Sequence, residues 1–392
     1  MVATRDVPAP QDVRRAGLER WPRYAAAARG LRNYWYPVMW SRDLGRKPVA
    51  RGLCGERIVL LRDGGRPYAL ADTCPHRGVP LSVGRQEFPG TWTCRYHGWT
   101  FCLRTGVLQA ALTDGPDSPI RGKVRVATYP VEERAGLVWV YVGDEPPPPV
   151  EADIPCELLE PGTVVVGRIS VQRGNWRYAA ENGFDEGHAQ MLHRYGAVHT
   201  AFRRLPAYRE TKVVADPDGY LSRATQHAAE VADYPGLGRW PRHRPWQRPG
   251  KGHRVSIRLP GFIRVKAAHQ AHAYWVWWTP IDERRYRMLQ FYSAPASGLD
   301  AVKFRLLYLL YRKPFHHIQF NNQDAWMVRL TPDSAPERLY RPDASITAWR
   351  KLCEQARGAP PPAESLDHSG LVCQQPPAPN LLRPHGEVLL RS

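Results

Sequence analysis

The sequence predicts an α+β fold in which an all-β domain precedes a domain that combines an antiparallel sheet with helices. After residue 30, short apolar and aromatic runs alternate with turn residues, and residues 57–71 have the pattern of a hairpin. Later in the chain, the runs 271–279 and 286–292 predict a second antiparallel hairpin, and residues 302–311 have a helical pattern. A chain of 392 residues is long enough for two or three such domains.

We expect the chain to divide into four segments. These are a leader with a short helix at 1–30, an all-β domain at 31–150, a second domain at 151–357 and a Pro-rich tail at 358–392. Four prolines at 146–149 predict a stiff linker between the two domains. Residues 164–171 predict a strand that opens the second domain. Pro314 is expected to end the helical pattern before it, so that a second helix begins near His316 and carries Asp324.

The charge balance is strongly basic. The chain has 55 Lys and Arg against 37 Asp and Glu, a formal net charge of +18. The basic residues are spread as single arginines, and no run resembles a basic arm for nucleic acid. The positive surface is therefore either simply solvated or suited to an acidic protein partner, such as a small electron carrier.

Cysteine usage and hydropathy predict a cytoplasmic protein. Seven cysteines, an odd number spread over a long chain, do not indicate a disulfide framework. The first residues lack the apolar segment of a signal peptide. The apolar stretch 306–310 is too short to span a bilayer. We therefore expect a soluble protein in a reducing compartment, without a membrane span.

Two Cys–His pairs give the strongest chemical signal. Cys74 and His76 form one pair, and Cys94 and His97 form the other, with 17 residues between the pairs. Four such donors fit a structural zinc site or a Rieske [2Fe–2S] cluster. A zinc finger groups its cysteines and its histidines separately, whereas here each loop offers one of each. That arrangement favours two loops that grip a binuclear cluster, and a glycine in each loop permits a tight turn.

A second group of candidate ligands lies at Asp185, His188 and His193. Asp185 and His188 are three residues apart and would share a helix face. His188 and His193 are about 500° apart along a helix, so their rings are offset by roughly 140°. They can hold one divalent metal only if the helix bends, bulges or ends between them. The alternative is two surface histidines on a helix.

Together the two boxes resemble the Rieske-type non-haem iron, or ring-hydroxylating, oxygenases. The loops Cys-Pro-His-Arg-Gly at 74–78 and Cys-Arg-Tyr-His-Gly-Trp at 94–99 resemble that family's Rieske loops, and residues 182–193 resemble its mononuclear iron motif. The resemblance covers about residues 30–357. Further stretches are similar to the branch that includes carbazole dioxygenases and oxoquinoline monooxygenases, namely 32–39, 175–185, 320–326 and 348–352.

The resemblance implies a helix-grip second domain and two metal centres. A [2Fe–2S] cluster would be held by Cys74, His76, Cys94 and His97. A mononuclear Fe(II) would be held by His188, His193 and Asp324. Asp300 and Asp333 are the alternatives for the carboxylate, and Asn182 is expected to shape the iron site. His316 and His317 are interpreted as helix-start or pocket residues.

The resemblance also implies partners. In that family the residue matching Asp185 bridges an iron histidine to a Rieske histidine of the neighbouring subunit, which implies a homotrimer. Electrons would come from a ferredoxin, an NAD(P)H-dependent reductase or both, since the chain shows no G-x-G-x-x-G fingerprint in a βαβ setting. The substrates would be O₂ and a hydrophobic aromatic or heterocyclic compound.

The sequence leaves several alternatives open. The same scaffold supports dihydroxylation, monohydroxylation, demethylation and oxidative cyclisation, so fold does not decide the reaction. The run 234–246 has no counterpart that we recognise in the carbazole branch, which favours a natural product as the alternative substrate. Tyr274, Trp275 and Trp277 either line a pocket or form sheet core. A Rieske electron-transfer protein would need only the first domain, and a nucleic-acid-binding protein with structural zinc would contain neither iron nor sulfide.

Overall fold

The computed structural model describes residues 18–185, 187–193, 209–227, 232–240, 253–267, 272–332 and 337–358. Within these residues, five antiparallel sheets and seven α-helices lie around three hydrophobic clusters. The predicted α+β fold class is confirmed.

Ten strands in the N-terminal half form three small sheets. They are β1 (Tyr34–Trp40), β2 (Val49–Leu53), β3 (Glu56–Asp63), β4 (Arg66–Ala71), β5 (Thr91–Thr93), β6 (Trp99–Cys102), β7 (Leu108–Ala111), β8 (Thr128–Tyr129), β9 (Val131–Arg134) and β10 (Leu137–Val142). The strand orders are β1-β10-β9, β2-β3-β4-β8 and β5-β6-β7. The predicted hairpin is β3–β4, and its turn is made by Gly64 and Gly65, both with positive φ as a two-residue hairpin turn requires.

A seven-stranded antiparallel sheet dominates the C-terminal half, with the order β11-β19-β18-β17-β16-β13-β12. Its strands and a separate small hairpin are β11 (Thr163–Arg173), β12 (Arg209–Ala215), β13 (Leu221–His227), β14 (Ala232–Tyr234), β15 (Gly238–Trp240), β16 (His253–Arg258), β17 (Phe262–Ala267), β18 (Ala273–Asp282) and β19 (Arg285–Pro295). Strands β18 and β19 are buried almost throughout. Met288 packs in the cluster that includes Trp176 and Phe184, whereas Phe291 packs in the cluster that includes Trp40 and Trp139. Because both faces of the sheet are covered, its strands can carry continuous apolar runs of residues.

The helices that carry Trp176, Val328 and Trp349 share the cluster that covers one face of this sheet. The α-helices are α1 (Pro22–Ala26), α2 (Cys156–Leu159), α3 (Trp176–Phe184), α4 (Gly187–Leu192), α5 (Gly298–Leu307), α6 (Asn321–Leu330) and α7 (Ala344–Cys353). Short 3₁₀ turns occur at Leu18–Arg20, Ala27–Arg29, Ser41–Asp43, Leu81–Val83, Val150–Ala152 and Arg341–Asp343. Among the described residues, no helix combines the length and apolarity needed to cross a bilayer.

The expectation that Pro314 ends a helix is wrong. Pro314 lies inside a π-helical segment, Tyr308–Phe320, which joins α5 to α6 without a break. In a regular α-helix its ring would clash with the carbonyl four residues earlier, and the wider π-helical turn relieves that clash. The helix that carries Asp324 therefore begins at Asn321 rather than near His316.

The N-terminal segment packs into the core as far as it is described. Glu354, just after α7, accepts hydrogen bonds from the backbone N–H groups of Arg23 and Tyr24 at the start of α1 (3.3 and 2.9 Å). Trp176 of α3 donates its indole N–H to the carbonyl of Ala27 (2.8 Å). The segment predicted as a leader thus holds two helices of the C-terminal half together.

The predicted domain limits remain a prediction. Tyr36 and Val138, which precede the predicted boundary at residue 150, share one hydrophobic cluster with Trp278, which follows it. The two halves therefore share buried surface. Residues 1–17 of the predicted leader and residues 359–392 of the predicted tail lie outside the described residues.

Candidate functional site

The loops that begin at Cys74 and Cys94 have the same backbone pattern. In each loop the cysteine N–H donates to the carbonyl five residues later, at 2.8 Å in both cases. In each loop the cysteine carbonyl accepts from the N–H of a glycine four residues later, at 2.8 Å for Gly78 and 3.1 Å for Gly98. Both glycines have positive φ, 73° and 67°, which a side chain disfavours. The repeated backbone turn presents two equivalent pairs of side chains.

The four predicted cluster ligands lie together in the structure. The Cys74 and Cys94 side chains are buried and near enough for Cys94 to affect the pKa of Cys74, and the His76 and His97 rings are 4.6 Å apart between centroids. Trp99 stacks on His76 at 4.7 Å. Burial raises the pKa of Cys74 to about 11, so the metal-free loop keeps its thiol protonated.

The environment of His97 tests whether this set fits a metal cluster. Its Nδ1 atom is shielded from solvent and has no hydrogen-bond partner among the described residues. An imidazole nitrogen left in that state is costly unless something else satisfies it. Two buried thiols and two imidazoles, one of them with such a nitrogen, fit the donor set of a Rieske cluster.

Asp185 lies between α3 and α4 and caps the second helix. Its backbone is extended, and its carboxylate accepts the N–H groups of Gly187 and His188, both at 2.9 Å. The same carboxylate lies 3.0 Å from Nδ1 of His188. The sequence places Asp185 and His188 on one helix face, but in the structure Asp185 precedes a new helix and its carboxylate accepts the first described N–H groups of that helix. Short polar side chains favour that position because they satisfy free N–H groups.

The side chains of Asp324, His188 and His193 converge on one point. One ligand atom each from His188, His193 and Asp324 lie within 4.8 Å of one another. Oδ1 of Asp324 is 3.4 Å from Nε2 of His188 and 3.3 Å from Nε2 of His193. Ligands at right angles on bonds of about 2.1 Å are about 3 Å apart, so these atoms are placed for a single ion. Helix α4 ends at Leu192, which removes the angular offset that the spacing implied.

Neighbouring side chains orient each of these three groups. Asp185 lies 3.0 Å from Nδ1 of His188. Gln323 Oε1 lies 2.8 Å from Nδ1 of His193. Asn182 donates its side-chain N–H to Oδ1 of Asp324 at 3.0 Å. Partners of this kind fix the tautomer and direction of a metal ligand. Asn182 was expected at this site, whereas Gln323 was missed, because its position next to Asp324 was the only signal and helix neighbours point in different directions.

Buried charge dominates the electrostatics of the site. Burial disfavours the charged form of His188, but hydrogen bonds to Asp185 and Asp324 outweigh it and raise its pKa to about 10. Burial likewise opposes the charge on Asp324, while the two histidines hold the pKa of that carboxyl well below its usual range. Without metal, His188 is therefore protonated on both ring nitrogens, with Nδ1 facing Asp185 and Nε2 facing Asp324.

The other predicted candidates lie elsewhere. Asp300 is exposed and pairs with Lys303, so it is not part of this site. Asp333 lies outside the described residues. Trp275 and Trp277 are fully buried in the cluster shared with the N-terminal half, which makes them sheet core. The histidines His316 and His317 belong to the π-helical segment and do not join the three candidate ligands.

Two family models match the chain. The model of homotrimeric ring hydroxylases matches residues 141–359, and the model of the Rieske [2Fe-2S] domain matches residues 34–130. The first match includes all three members of the His188–His193–Asp324 site. The second includes both Cys–His loops.

Known proteins and structures are similar to this chain over most or part of its length. The terminal oxygenase component of carbazole 1,9a-dioxygenase from Metapseudomonas resinovorans is 32% identical over 361 residues, which is 86% of this chain and 94% of the relative. The oxygenase subunit of 3-chlorobenzoate-3,4-dioxygenase from Comamonas testosteroni is 38% identical over 43% of this chain and 39% of its own. A reduced complex between oxygenase and ferredoxin in carbazole 1,9a-dioxygenase superposes with a TM-score of 0.77, at 31% identity, over 87% of this chain and 93% of that one.

Proposed function

The chain belongs to the homotrimeric ring hydroxylases, the Rieske-type non-haem iron oxygenases, and from that premise we propose that it is a terminal oxygenase that oxidises a hydrophobic aromatic or heterocyclic substrate. The observation that carries the proposal is the pairing of two donor sets in one chain. One is the Cys–His loop pair, and the other is the convergence of His188, His193 and Asp324. An electron-transfer protein would not need the second set.

The proposal gives each donor set a resident group. Cys74, His76, Cys94 and His97 would hold a [2Fe–2S] cluster, and His188, His193 and Asp324 would hold Fe(II). Two imidazoles and one carboxylate leave coordination positions open on the opposite side of the ion. When bound, the cluster supplies single electrons and the iron supplies the centre for dioxygen chemistry.

The surrounding side chains then have defined roles. Asp185 and Gln323 each accept the Nδ1–H of one histidine, so that both Nε2 atoms keep their lone pairs toward the ion. Asn182 donates to Asp324 and keeps one carboxylate oxygen in place. The site is largely shielded from solvent, since His193 is buried and His188 and Asp324 are partly buried. Exclusion of water limits unproductive side reactions.

Asp185 has a second role in this proposal. As the cap of α4 it touches His188, and it is predicted to contact a cluster histidine of the neighbouring subunit in the homotrimer. The exposure of His76 at the loop surface supports such a contact. The shared carboxylate would then connect the cluster of one subunit with the iron of the next.

The electron donor is proposed to be a ferredoxin, supplied by an NAD(P)H-dependent reductase. A solved neighbour is a complex of oxygenase and ferredoxin, and the net charge of +18 suits an acidic carrier. The aromatic or heterocyclic substrate class rests on the relatives, which are named for carbazole and 3-chlorobenzoate.

Single-turnover chemistry tests the function. The protein is reduced without oxygen, mixed with a panel of polycyclic heteroaromatic compounds, exposed to ¹⁸O₂ and analysed by mass spectrometry. A labelled product is expected: two labelled oxygens indicate dioxygenation and one indicates monooxygenation. Loss of two hydrogens without label would indicate cyclisation or desaturation. Protein that contains zinc and no inorganic sulfide would contradict the proposal, whereas reoxidation of the centres without any product would remove only the substrate class.

A further inference from the structure

A continuous set of aromatic rings leads away from the His188–His193–Asp324 site. The ring of Phe320 stacks on His193, with centroids 3.6 Å apart at 21°. The Phe320 ring centroid is also 6.4 Å from that of His316. Phe320 and His316 both belong to the π-helical segment, so the segment that leads into α6 and Asp324 also carries this set.

His316 forms a short hydrogen bond with a buried phenol. The hydroxyl of Tyr292, on β19, lies 2.6 Å from Nδ1 of His316. Tyr292 is buried, and burial raises the pKa of its phenol. The guanidinium of Arg312 lies over its ring at 4.4 Å. A phenol radical cation would be costly in this buried position next to a guanidinium. Oxidation of Tyr292 must therefore release its hydroxyl proton, and His316 is in position to accept that proton.

The set also reaches the surface. The ring of Tyr311 is 5.9 Å from that of His316. The Tyr311 side chain is 43% exposed, whereas Tyr292 is 3% exposed. A small reductant in solution can therefore contact Tyr311 but not Tyr292.

We propose that Tyr292 and His316 form a one-electron donor pair that removes oxidising equivalents from the His188–His193–Asp324 site when dioxygen is activated without an oxidisable substrate. The inference rests on the proposed oxygenase function. Tyr292 loses one electron, which passes by way of Phe320 and His193 to the oxidised site. Its hydroxyl proton moves to Nδ1 of His316, so that a neutral tyrosyl radical and an imidazolium remain.

The pair is then restored from the surface. A one-electron reductant such as ascorbate donates an electron through Tyr311, and the proton on His316 returns to the oxygen of Tyr292. The net reaction consumes one external electron and leaves the protein side chains intact. Without the pair, the same oxidising equivalent would attack the side chains next to the site, among them Phe320 and His193.

A second tyrosine–histidine pair supplies a matched control. The Tyr308 hydroxyl lies 3.3 Å from Nδ1 of His317. His317 is fully buried, and burial, followed by the charges of nearby basic groups, lowers its pKa to about 3. It is therefore a poor proton acceptor. Tyr308→Phe removes a comparable phenol and hydrogen bond without removing the proposed donor.

The test uses the iron-loaded, chemically reduced protein mixed with oxygen in the absence of substrate. Samples are frozen during the reaction and examined by electron paramagnetic resonance, with ring-deuterated tyrosine to identify a tyrosyl signal. We expect the signal in the wild type and in Tyr308→Phe, and its loss in Tyr292→Phe. Ascorbate should shorten its lifetime in the wild type. A signal unchanged in Tyr292→Phe, or no signal while oxygen is consumed, overturns the proposal.

Peptide mass spectrometry gives a second readout. After repeated uncoupled turnover, Tyr292→Phe should carry more oxidised Phe320 and His193 per oxygen consumed than the wild type or Tyr308→Phe. Equal damage in all three proteins overturns the protective role. Protein that binds iron but consumes no oxygen contradicts the proposed function instead. Hydrogen peroxide then replaces oxygen in the same comparison, and the loss or persistence of the radical in Tyr292→Phe still decides the inference.

Discussion

In the Cys74 and Cys94 loops the candidate ligands are positioned by backbone hydrogen bonds, whereas at the His188–His193–Asp324 site they are positioned by other side chains. Each loop contains its own pattern of N–H to carbonyl bonds and its own glycine of positive φ. At the second site, Asp185, Asn182 and Gln323 each hold one ligand through a side-chain hydrogen bond. A loop is thus specified over a few residues, but the second site depends on how α3, α4 and α6 pack.

Removal of a candidate ligand from the His188–His193–Asp324 site should affect that site and leave the Cys74 and Cys94 loops unchanged. His193→Ala and Asp324→Ala are expected to lose the mononuclear iron and all product formation, because two ligands cannot hold the ion. Inorganic sulfide should stay at the wild-type level, since the loops are held independently. Iron and sulfide analysis checks this, with Asp300→Ala as the exposed control. Sulfide lost along with the iron would show that the two sites depend on each other.

Asp185→Asn should leave both centres in place and slow the passage of electrons between them. Asparagine is also a good N-cap, so α4 is expected to persist. Loss of the charge next to His188 should slow reoxidation of the reduced cluster by about 10- to 100-fold. Stopped-flow absorbance of the cluster measures this rate. Fully coupled turnover at the wild-type rate would show that Asp185 is not the bridge between subunits.

Iron binding at the second site should depend on pH. In the metal-free protein His188 has a pKa of about 10, because its two carboxylate partners outweigh the effect of burial. Iron must displace the Nε2 proton, so between about pH 7 and about pH 9 the Kd should fall about tenfold for each unit of rising pH. An anaerobic Fe(II) titration of the metal-free protein measures this slope.

Asp185→Asn supplies the control for that titration. The variant removes one of the two charges that raise the pKa of His188, so its Kd should level off at a lower pH. A wild-type affinity that does not change with pH would contradict the assignment of His188 as a ligand that must first lose a proton.

Substitution by alanine should destabilise the protein more at Gly98 than at Gly78. A Cβ at Gly98 would lie 2.8 Å from Cβ of Leu112, whereas at Gly78 it would meet nothing within 4 Å. Both positions have positive φ, so each alanine costs about 1 to 2 kcal/mol in backbone strain. Gly98→Ala should therefore lower Tm and sulfide content more than Gly78→Ala. Equal effects would mean that the Leu112 contact relaxes without cost.

Much of the chain could be predicted from local patterns. The α+β class, the β3–β4 hairpin and the pairing of β18 with β19 follow from alternation and turn residues. The family could be recognised because its two motifs are short and contiguous. If His188 and His193 hold one ion, their spacing also predicted that the helix bends, bulges or ends between them, and α4 ends at Leu192.

Three features depended on tertiary structure. Asp324 is one carboxylate among many, and only the packing of α6 against α3 brings it to His188. Gln323 has a role because the start of α6 faces His193. Pro314 continues a helix because the segment around it is π-helical. The physical reason is the same in each case: hydrogen bonds within a loop are encoded by neighbours in sequence, whereas contacts between distant elements are decided by how a shared core packs.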